Sequence, residues 1–170
     1  MDFKLDHIDR KILDILQRDG AISNVQLAAK VNLSPAPCLR RVAALEAAGV
    51  IRHYAAVLDA EKVGFHLQVF VVVKLVKGGK SPSDEFHRAV AEWPEVTACY
   101  ALTGDIDYLL RVQVPDLAGF NLFLNEKLLR QSGVIDTRSS IVIESIKETS
   151  ALPLEDRPAR KRSTGRRRRS

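Results

Sequence analysis

The stretch Ser23–Val42, SNVQLAAKVNLSPAPCLRRV, predicts two short helices around a tight turn. Ser34 followed by Pro35 is typical of the start of the second helix, because serine is a favoured N-cap and the N–H that proline lacks would have no partner there. Two short helices joined in this way form a helix-turn-helix, whose second helix enters the major groove of DNA. In the first helix, apolar residues recur at helical spacing, namely Leu27, Ala28 and Val31.

The second of these helices has an apolar face and an open face. The apolar face is predicted at positions three or four residues apart, at Cys38, Val42, Leu45 and Gly49. The opposite face then carries Ala36, Arg40, Ala43 and Ala47. Arg40 is the best candidate for a base contact, because its planar guanidinium can bind O6 and N7 of guanine together.

The residues around Arg40 are candidates for the rest of a DNA interface. Arg41 lies toward the side of the helix and is expected to meet a phosphate. Asn24 and Ser34 begin their helices, where N–H groups and polar side chains can hold a phosphate. Two small residues near the start of the second helix would sit against a thymine methyl group or the groove wall. The full candidate set is Asn24, Ser34, Pro35, Ala36, Pro37, Arg40 and Arg41. The alternative is that the two arginines only solvate a surface helix.

Composition narrows the class of protein. With 170 residues, 46% of them hydrophobic, the chain has room for one or two small domains. No apolar run is long enough for a transmembrane helix, and the N-terminus MDFKLDHIDRK is no secretory signal, so we expect a cytoplasmic protein without membrane contact. Two distant cysteines, four scattered histidines and no nucleophile–base pair predict no metal, no cofactor and no catalytic site.

The positive charge is concentrated in the C-terminal tail. Residues 157–170 carry seven Arg, one Lys and no acidic residue, so the net charge of +5 leaves −3 for residues 1–156. The tail has nothing to bury and is expected to be disordered. Beside DNA its charges would add affinity that does not depend on sequence. The alternative is that the tail only improves solubility.

The rest of the chain predicts a helical unit followed by a βαββαβ unit. Asp6 is expected to cap a first helix that Gly20 ends, Val50–Asp59 to form a strand, and Ala60–His66 to be a linker. The strands are predicted at Leu67–Lys77, Val96–Leu102, Asp107–Val114 and Val134–Ile146, and the helices at Ser81–Trp93, with Ser83 as its cap, and from Asp116 to Leu128. This order is the ferredoxin-like plan, with two helices on one face of an antiparallel sheet. The other face is left uncovered, and we expect a second copy of the protein to cover it.

Three segments resemble the Lrp/AsnC (feast/famine) transcription regulators. Residues 5–59 are similar to the family's winged helix-turn-helix region, TGDIDYLLRVQVPD to its effector-domain signature, and SGVIDTRSSIVIESIKET to its last strand. The resemblance implies an α+β protein. It divides the chain into a winged helix-turn-helix domain at 1–52, a strand and linker at 53–66, and a ferredoxin-like effector-binding and oligomerisation domain at 67–150. The disordered Arg-rich tail predicted at 151–170 is not part of the family pattern.

The segment Thr103–Asp107, TGDID, is a candidate site for a free amino acid. Gly104 permits close approach to the backbone, Asp105 and Asp107 can accept hydrogen bonds from an α-ammonium group, and exposed N–H groups can receive the carboxylate. The resemblance implies that these residues act with neighbours, giving the candidate set Tyr100, Leu102, Gly104, Asp105, Asp107, Thr137 and Ser139. Apolar residues in and beside the segment favour leucine or another apolar amino acid. The alternative is a plain Asp-rich turn.

The sequence therefore predicts a regulator of transcription that binds double-stranded DNA, responds to a small amino acid, and acts as dimers that assemble to tetramers, octamers or larger particles on the nucleoid. Two alternatives stay open. One is an architectural DNA-bending protein without a working effector site, and the other is a ferredoxin-like oligomeric enzyme.

Overall fold

The computed structural model describes residues 4–76 and 81–154, which divide into two compact units. One unit contains the chain up to Ala56 together with the segment that begins at Glu148, and the other is Val57–Lys147. In the described ranges, no helix is long and apolar enough to cross a lipid bilayer. The tail at 151–170 was expected to be disordered. Its residues 155–170 lie outside the described residues, whereas 151–154 are described and Leu152 is hydrogen-bonded to Gln17, contrary to that expectation.

The first unit consists of α1 (His7–Leu16), α2 (Asn24–Lys30) and α3 (Pro35–Ala47). As predicted, Asp6 is the N-cap of α1, and its carboxylate accepts the N–H of Asp9. Apolar side chains from the three helices meet in one core, whose buried members are Ile12, Leu13, Leu27, Ala28, Val31, Cys38 and Leu45.

Two residues with positive φ allow the chain to change direction around α3. Asn32 has φ 57° in the turn between α2 and α3, in the left-handed region that asparagine tolerates better than most residues. Gly49 has φ 69° directly after the C-cap of α3. Gly49 therefore closes the helix pair, as the sequence also predicts, and does not extend the apolar face of α3.

The predicted strand at Val50–Asp59 was also wrong, since residues 50–59 are assigned to neither helix nor strand. A β-rich composition becomes a strand only where another strand supplies hydrogen bonds, and no strand of the described chain pairs with this segment. Val57 is accordingly 93% exposed. The expected linker that follows contains a short 3₁₀ helix at Glu61–Val63.

The second unit is a four-stranded antiparallel sheet with the predicted βαββαβ order. The strands are β1 (Leu67–Leu75), β2 (Val96–Ala101), β3 (Tyr108–Val114) and β4 (Val134–Ile141), arranged in the order β2-β3-β1-β4. The helices are α4 (Ser81–Glu92) and α5 (Leu117–Phe123), and α5 continues as a π-helical turn at Leu124–Leu128.

Burial alternates along the two central strands, which separates the sheet into a helix-covered face and an open face. On the covered face, side chains of β1 and β3 pack with Phe86 of α4 and Phe123 of α5. Two predicted details were wrong. Ser83 lies within the first turn of α4 and is not its cap, and β4 ends at Ile141 rather than Ile146. Ile141 is the last residue of β4 that pairs with β1, and Ile143 beyond it is 99% exposed.

Candidate nucleic-acid interface and ligand loop

The open face of α3 carries one arginine among small residues. The burial of Cys38 and Leu45 turns Ala36, Arg40 and Ala43 to solvent, as predicted. No hydrogen bond or ion pair joins Arg40 to any other described residue. Because its neighbours on this face are alanines, nothing bulky would keep a base edge away from the guanidinium.

The start of α3 is formed as the sequence predicted, with one difference. Ser34 is the N-cap residue and Pro35 occupies the first helical turn, but the Ser34 hydroxyl makes no capping hydrogen bond. Ser34, Pro35 and Ala36 are exposed, whereas Pro37 is half-buried. The exposed N-terminal end of α3 therefore remains a surface that a phosphate could approach.

Asn24 is engaged inside the helix-turn-helix. It follows the N-cap Ser23 of α2, and its Nδ2 donates to the carbonyl oxygen of Pro35 over 2.9 Å. Its Oδ1 is buried and has no hydrogen-bond partner in the described part of the chain. The side chain joins the beginnings of α2 and α3, which is at odds with the expected phosphate contact.

Arg41 is paired within the protein as well. Its Nη1 donates to Oδ2 of Asp6 and to Oδ1 of Asp9, with both distances 2.7 Å. The backbone N–H of Asp9 and the guanidinium of Arg41 together lower the pKa of Asp6 to about 2. The structure thus commits Arg41 to α1, a contact that local sequence does not predict because the partners lie more than thirty residues earlier.

The C-terminal segment docks on α1, which no sequence pattern indicated. The side-chain amide of Gln17 donates to the carbonyl oxygen of Leu152 over 2.9 Å and accepts its N–H over 2.8 Å. Leu154 packs against the helical core. Beside this segment lies an open groove of about 500 Å³, lined by His7, Arg10, Lys11, Asp14, Ile15, Arg18, Lys30, Pro153 and Leu154.

The TGDID segment forms the connection between β2 and β3. Gly104 has φ 113°, a conformation that side-chain-bearing residues rarely adopt, so a glycine is required at this position. Leu102 donates its N–H to the carbonyl oxygen of Asp107 over 2.8 Å and closes the loop. Asp105 is exposed, and no described residue makes a hydrogen bond or ion pair with it. Its carboxylate is available to a cationic ligand.

The end of this loop is anchored to two other elements. Asp107 Oδ2 accepts the N–H of Leu75 over 2.8 Å, and the N–H of Asp107 donates to the carbonyl oxygen of Val73 over 3.2 Å. The next residue, Tyr108, is buried, and its hydroxyl lies 2.8 Å from Nε2 of His87 on α4. Asp107 therefore has a structural role beside any role in ligand binding.

The structure does not bring all the predicted effector residues together within one chain. Gly104, Asp105 and Asp107 share the loop. By register, Thr137 pairs with Val73 on the helix-covered face of β4, whereas Tyr100 lies on the open face of β2. These strands are the two edges of the sheet, three strand spacings or about 14 Å apart. Ser139 lies on β4 with Thr137, and Leu102 lies just beyond β2 at the loop.

The fold and these sites define a class of protein, namely a helix-turn-helix DNA-binding protein with an additional ferredoxin-like domain that bears an exposed acidic loop. Residues 5–52 match the family model of the winged helix-turn-helix DNA-binding domain. Residues 68–152 match the model of the Lrp/AsnC ligand binding domain. The chain therefore belongs to the Lrp/AsnC family of DNA-binding transcriptional regulators.

Individual relatives agree with this assignment. The chain is 44% identical over 153 residues to the leucine-responsive regulatory protein of Escherichia coli strain K12, covering 90% of this chain and 93% of the relative. A transcriptional regulator from Neisseria meningitidis, solved as a complex with L-Met, superposes with a TM-score of 0.87 at 46% identity, over 89% of this chain and 98% of that one. An AsnC family regulator from Agrobacterium tumefaciens gives a TM-score of 0.84 at 41% identity, over 88% and 97%. Because these relatives regulate transcription, the enzyme alternative is set aside.

Proposed function

We propose that this regulator binds a pseudo-palindromic DNA site as a symmetric dimer, with Arg40 of each copy reading a base, and that a free amino acid at the TGDID loop controls the binding. The observation that carries the DNA-reading part is Arg40 itself. Its guanidinium is exposed on α3 and has no hydrogen bond or ion pair with any described residue, and its flanking face is made of alanines. Two such helices double the base contacts that one short helix can make.

The dimer is proposed on the open face of the sheet. Register places Tyr100, Leu109 and Val72 in one row across three strands, and Phe70 in the next row of the same face. Tyr100 is 55% exposed. A second copy of the sheet would remove this apolar surface from water, which is the main source of free energy for such an association. Tetramers, octamers or larger particles would then form from dimers.

The ligand is proposed to be an amino acid with an apolar side chain. Asp105 would hold the α-ammonium group, the loop N–H groups would hold the carboxylate, and Leu102 and Ile106 would contact the side chain. Two relatives support this class of ligand, since the Escherichia coli protein is named for its response to leucine and the Neisseria meningitidis structure contains L-Met. Leucine and methionine are therefore the first ligands to test.

Contacts from β4 would come from a second copy. Thr137 and Ser139 lie at the opposite edge of the sheet from Tyr100, so a ligand at one TGDID loop that also touched both edges would lie between two protomers. We propose that the effector site is completed by such an assembly, in the cytoplasm and at the nucleoid, where the DNA is.

The test is a gel shift with the full chain on the DNA upstream of its own coding sequence, with and without each of the twenty amino acids. We expect retardation at low salt and a change of affinity with one or a few apolar amino acids. Absence of retardation on any DNA would refute the proposed DNA-reading role. Retardation that no amino acid alters would favour the architectural alternative.

A second measurement tests the ligand site directly. Asp105→Asn removes one negative charge from a side chain that has no internal partner among the described residues, so the fold should be unaffected. We expect the variant to bind DNA normally and to lose most of the thermal stabilisation that the active amino acid gives to the unmodified protein. Equal stabilisation of both proteins would exclude Asp105 from the site.

A further inference from the structure

We propose that Arg41 is a positioning residue that holds the recognition helix α3 on the N-terminus of α1, and that it does not bind DNA phosphate. The proposal rests on the DNA-binding function above and concerns the residue beside the base-reading Arg40. The observation behind it is the three-residue cluster of Arg41, Asp6 and Asp9, called here the α1–α3 clamp.

The clamp is a closed ring of hydrogen bonds. Asp6 accepts the backbone N–H of Asp9 over 2.8 Å, and Asp9 accepts the backbone N–H of Asp6 over 3.1 Å, which is the reciprocal capping box of α1. Arg41 bridges the two carboxylates through a single nitrogen. The side chain of Asp9 is only 10% exposed and that of Arg41 only 34%. Removing Arg41 would leave a nearly buried carboxylate without its cation, which is unfavourable.

The charge of the clamp argues against a phosphate contact. One guanidinium and two carboxylates give the group a net charge of −1, so a phosphate that approached it would meet net repulsion rather than attraction. Arg40, one position earlier, faces about 100° away around the helix and has no acidic partner among residues 4–76 and 81–154. Two adjacent arginines therefore perform different tasks, one toward DNA and one toward α1.

A second contact, at the start of α3, also fixes the position of this helix. Asn24 donates to the carbonyl oxygen of Pro35 and so ties the start of α2 to the start of α3. The recognition helix is thus held at its first residue by Asn24 and six residues later by Arg41. Because base reading requires a side chain to be placed within a fraction of an ångström, contacts that fix α3 control affinity for the correct site more than affinity for DNA in general.

The test uses variants that alter charge at the clamp and preserve the helix cap. In Asp6→Asn/Asp9→Asn, both carboxylates become amides, and Asn is as good an N-cap as Asp. Asp14→Asn/Asp19→Asn is the matched control. It removes two carboxylates, one near the C-terminal end of α1 and one just beyond it, and leaves the clamp intact. Arg41→Gln is the third variant. Binding of each full-length protein to its upstream DNA and to unrelated DNA is measured at several salt concentrations, at a temperature where thermal unfolding shows it to be folded.

The positioning role and the phosphate-binding role of Arg41 predict opposite changes in DNA affinity when the two carboxylates are removed. If it positions α3, Asp6→Asn/Asp9→Asn weakens binding to the upstream site by about tenfold, a coupling of the size found for residues in one network. Binding to unrelated DNA then changes no more than in the control. Arg41→Gln should have the same effect, with an unchanged slope of log K against log salt. The variant that combines all three substitutions should bind the upstream site as well as Asp6→Asn/Asp9→Asn or Arg41→Gln does.

Three results would overturn the proposal. If Arg41 meets phosphate, removing the carboxylates frees a cation, so Asp6→Asn/Asp9→Asn would bind DNA more tightly than the control. Arg41→Gln would then also lower the salt slope by about 0.9 for each phosphate that Arg41 neutralises. An unchanged ratio of specific to unrelated binding would show that the clamp only stabilises the fold. Failure of the unmodified protein to bind any DNA would be a separate result, against the proposed function.

Discussion

Replacing Arg40 by alanine is the sharpest test of how this protein reads DNA. Arg40 is exposed and makes no ion pair or hydrogen bond with another described residue, so its removal breaks nothing inside the fold. The free energy of unfolding should therefore change by less than about 0.5 kcal/mol, as for other surface substitutions. Because the variant stays folded, a loss of DNA-binding free energy larger than this value would come from the missing contact with DNA.

The magnitude follows from the contact that the side chain can make. A bidentate arginine–guanine pair contributes about 1–3 kcal/mol of discrimination, so two copies in a symmetric dimer contribute about 2–6 kcal/mol. This corresponds to a loss of roughly 30-fold to 20,000-fold in affinity for the specific site. Arg40→Lys should recover only part of it, because an ammonium group lacks the planar fork.

The assay is a footprint and a titration of the upstream DNA, compared with unrelated DNA of equal length. Arg40→Ala should reduce affinity for the specific site far more than for unrelated DNA, and it should relax the preference at one base pair in each half-site. If footprint and affinity are unchanged, Arg40 does not read a base. If both DNAs lose affinity equally and the salt slope falls, Arg40 binds phosphate instead.

Three further predictions concern the ligand loop, the α1 cap and the tail. Asp107→Ala should lower the free energy of unfolding by about 0.5–1.5 kcal/mol in denaturant titrations. Asp107→Asn retains an acceptor for the Leu75 N–H and should be more stable than Asp107→Ala. Equal stability of the two would mean that this bond contributes nothing. Because the pKa of Asp6 falls from 3.8 to about 2 on folding, its contribution to stability is complete above pH 3.8 and disappears as the pH falls toward 2. The difference in melting temperature between the unmodified protein and Asp6→Asn should therefore shrink over that interval, and a constant difference would contradict the assignment. Deleting residues 157–170 removes eight positive charges and should flatten the salt dependence of binding to unrelated DNA while the choice of site survives. An unchanged slope would show that the tail does not bind DNA.

Several features that depend on neighbours in the sequence were predicted correctly, although the local cap predicted at Ser83 was wrong. The cap of α1 was predicted from Asp6 alone, and the structure adds the reciprocal bond with Asp9 three residues later. The strands β1 and β3 are signalled by runs of valine and leucine, and the order of elements then permits few topologies. The exposed face of α3 follows from the 3.6-residue period alone.

Features that depend on distant partners were not predictable in this way. Whether residues 50–59 or the chain after Ile141 form a strand depends on the presence of another strand alongside, which no local pattern reveals. The same holds for Arg41, whose partners are 32 and 35 residues away. An arginine that is available to DNA and one that binds the carboxylates of a helix cap have the same signature in sequence. Only the tertiary structure separates Arg40 from Arg41.

The positions of the proposed effector residues predict that ligand binding is coupled to assembly. Tyr100 and Thr137 occupy opposite edges of one sheet, so a ligand that touches both kinds of residue must lie between two copies. A ligand bound in this way raises the affinity between the copies by the same factor by which assembly raises the affinity for the ligand, because the coupling is reciprocal. The apparent affinity for the amino acid would then increase with protein concentration. A site formed within one chain, by Asp105 and the loop N–H groups alone, would show no such dependence, so calorimetric titrations at two protein concentrations distinguish the two arrangements.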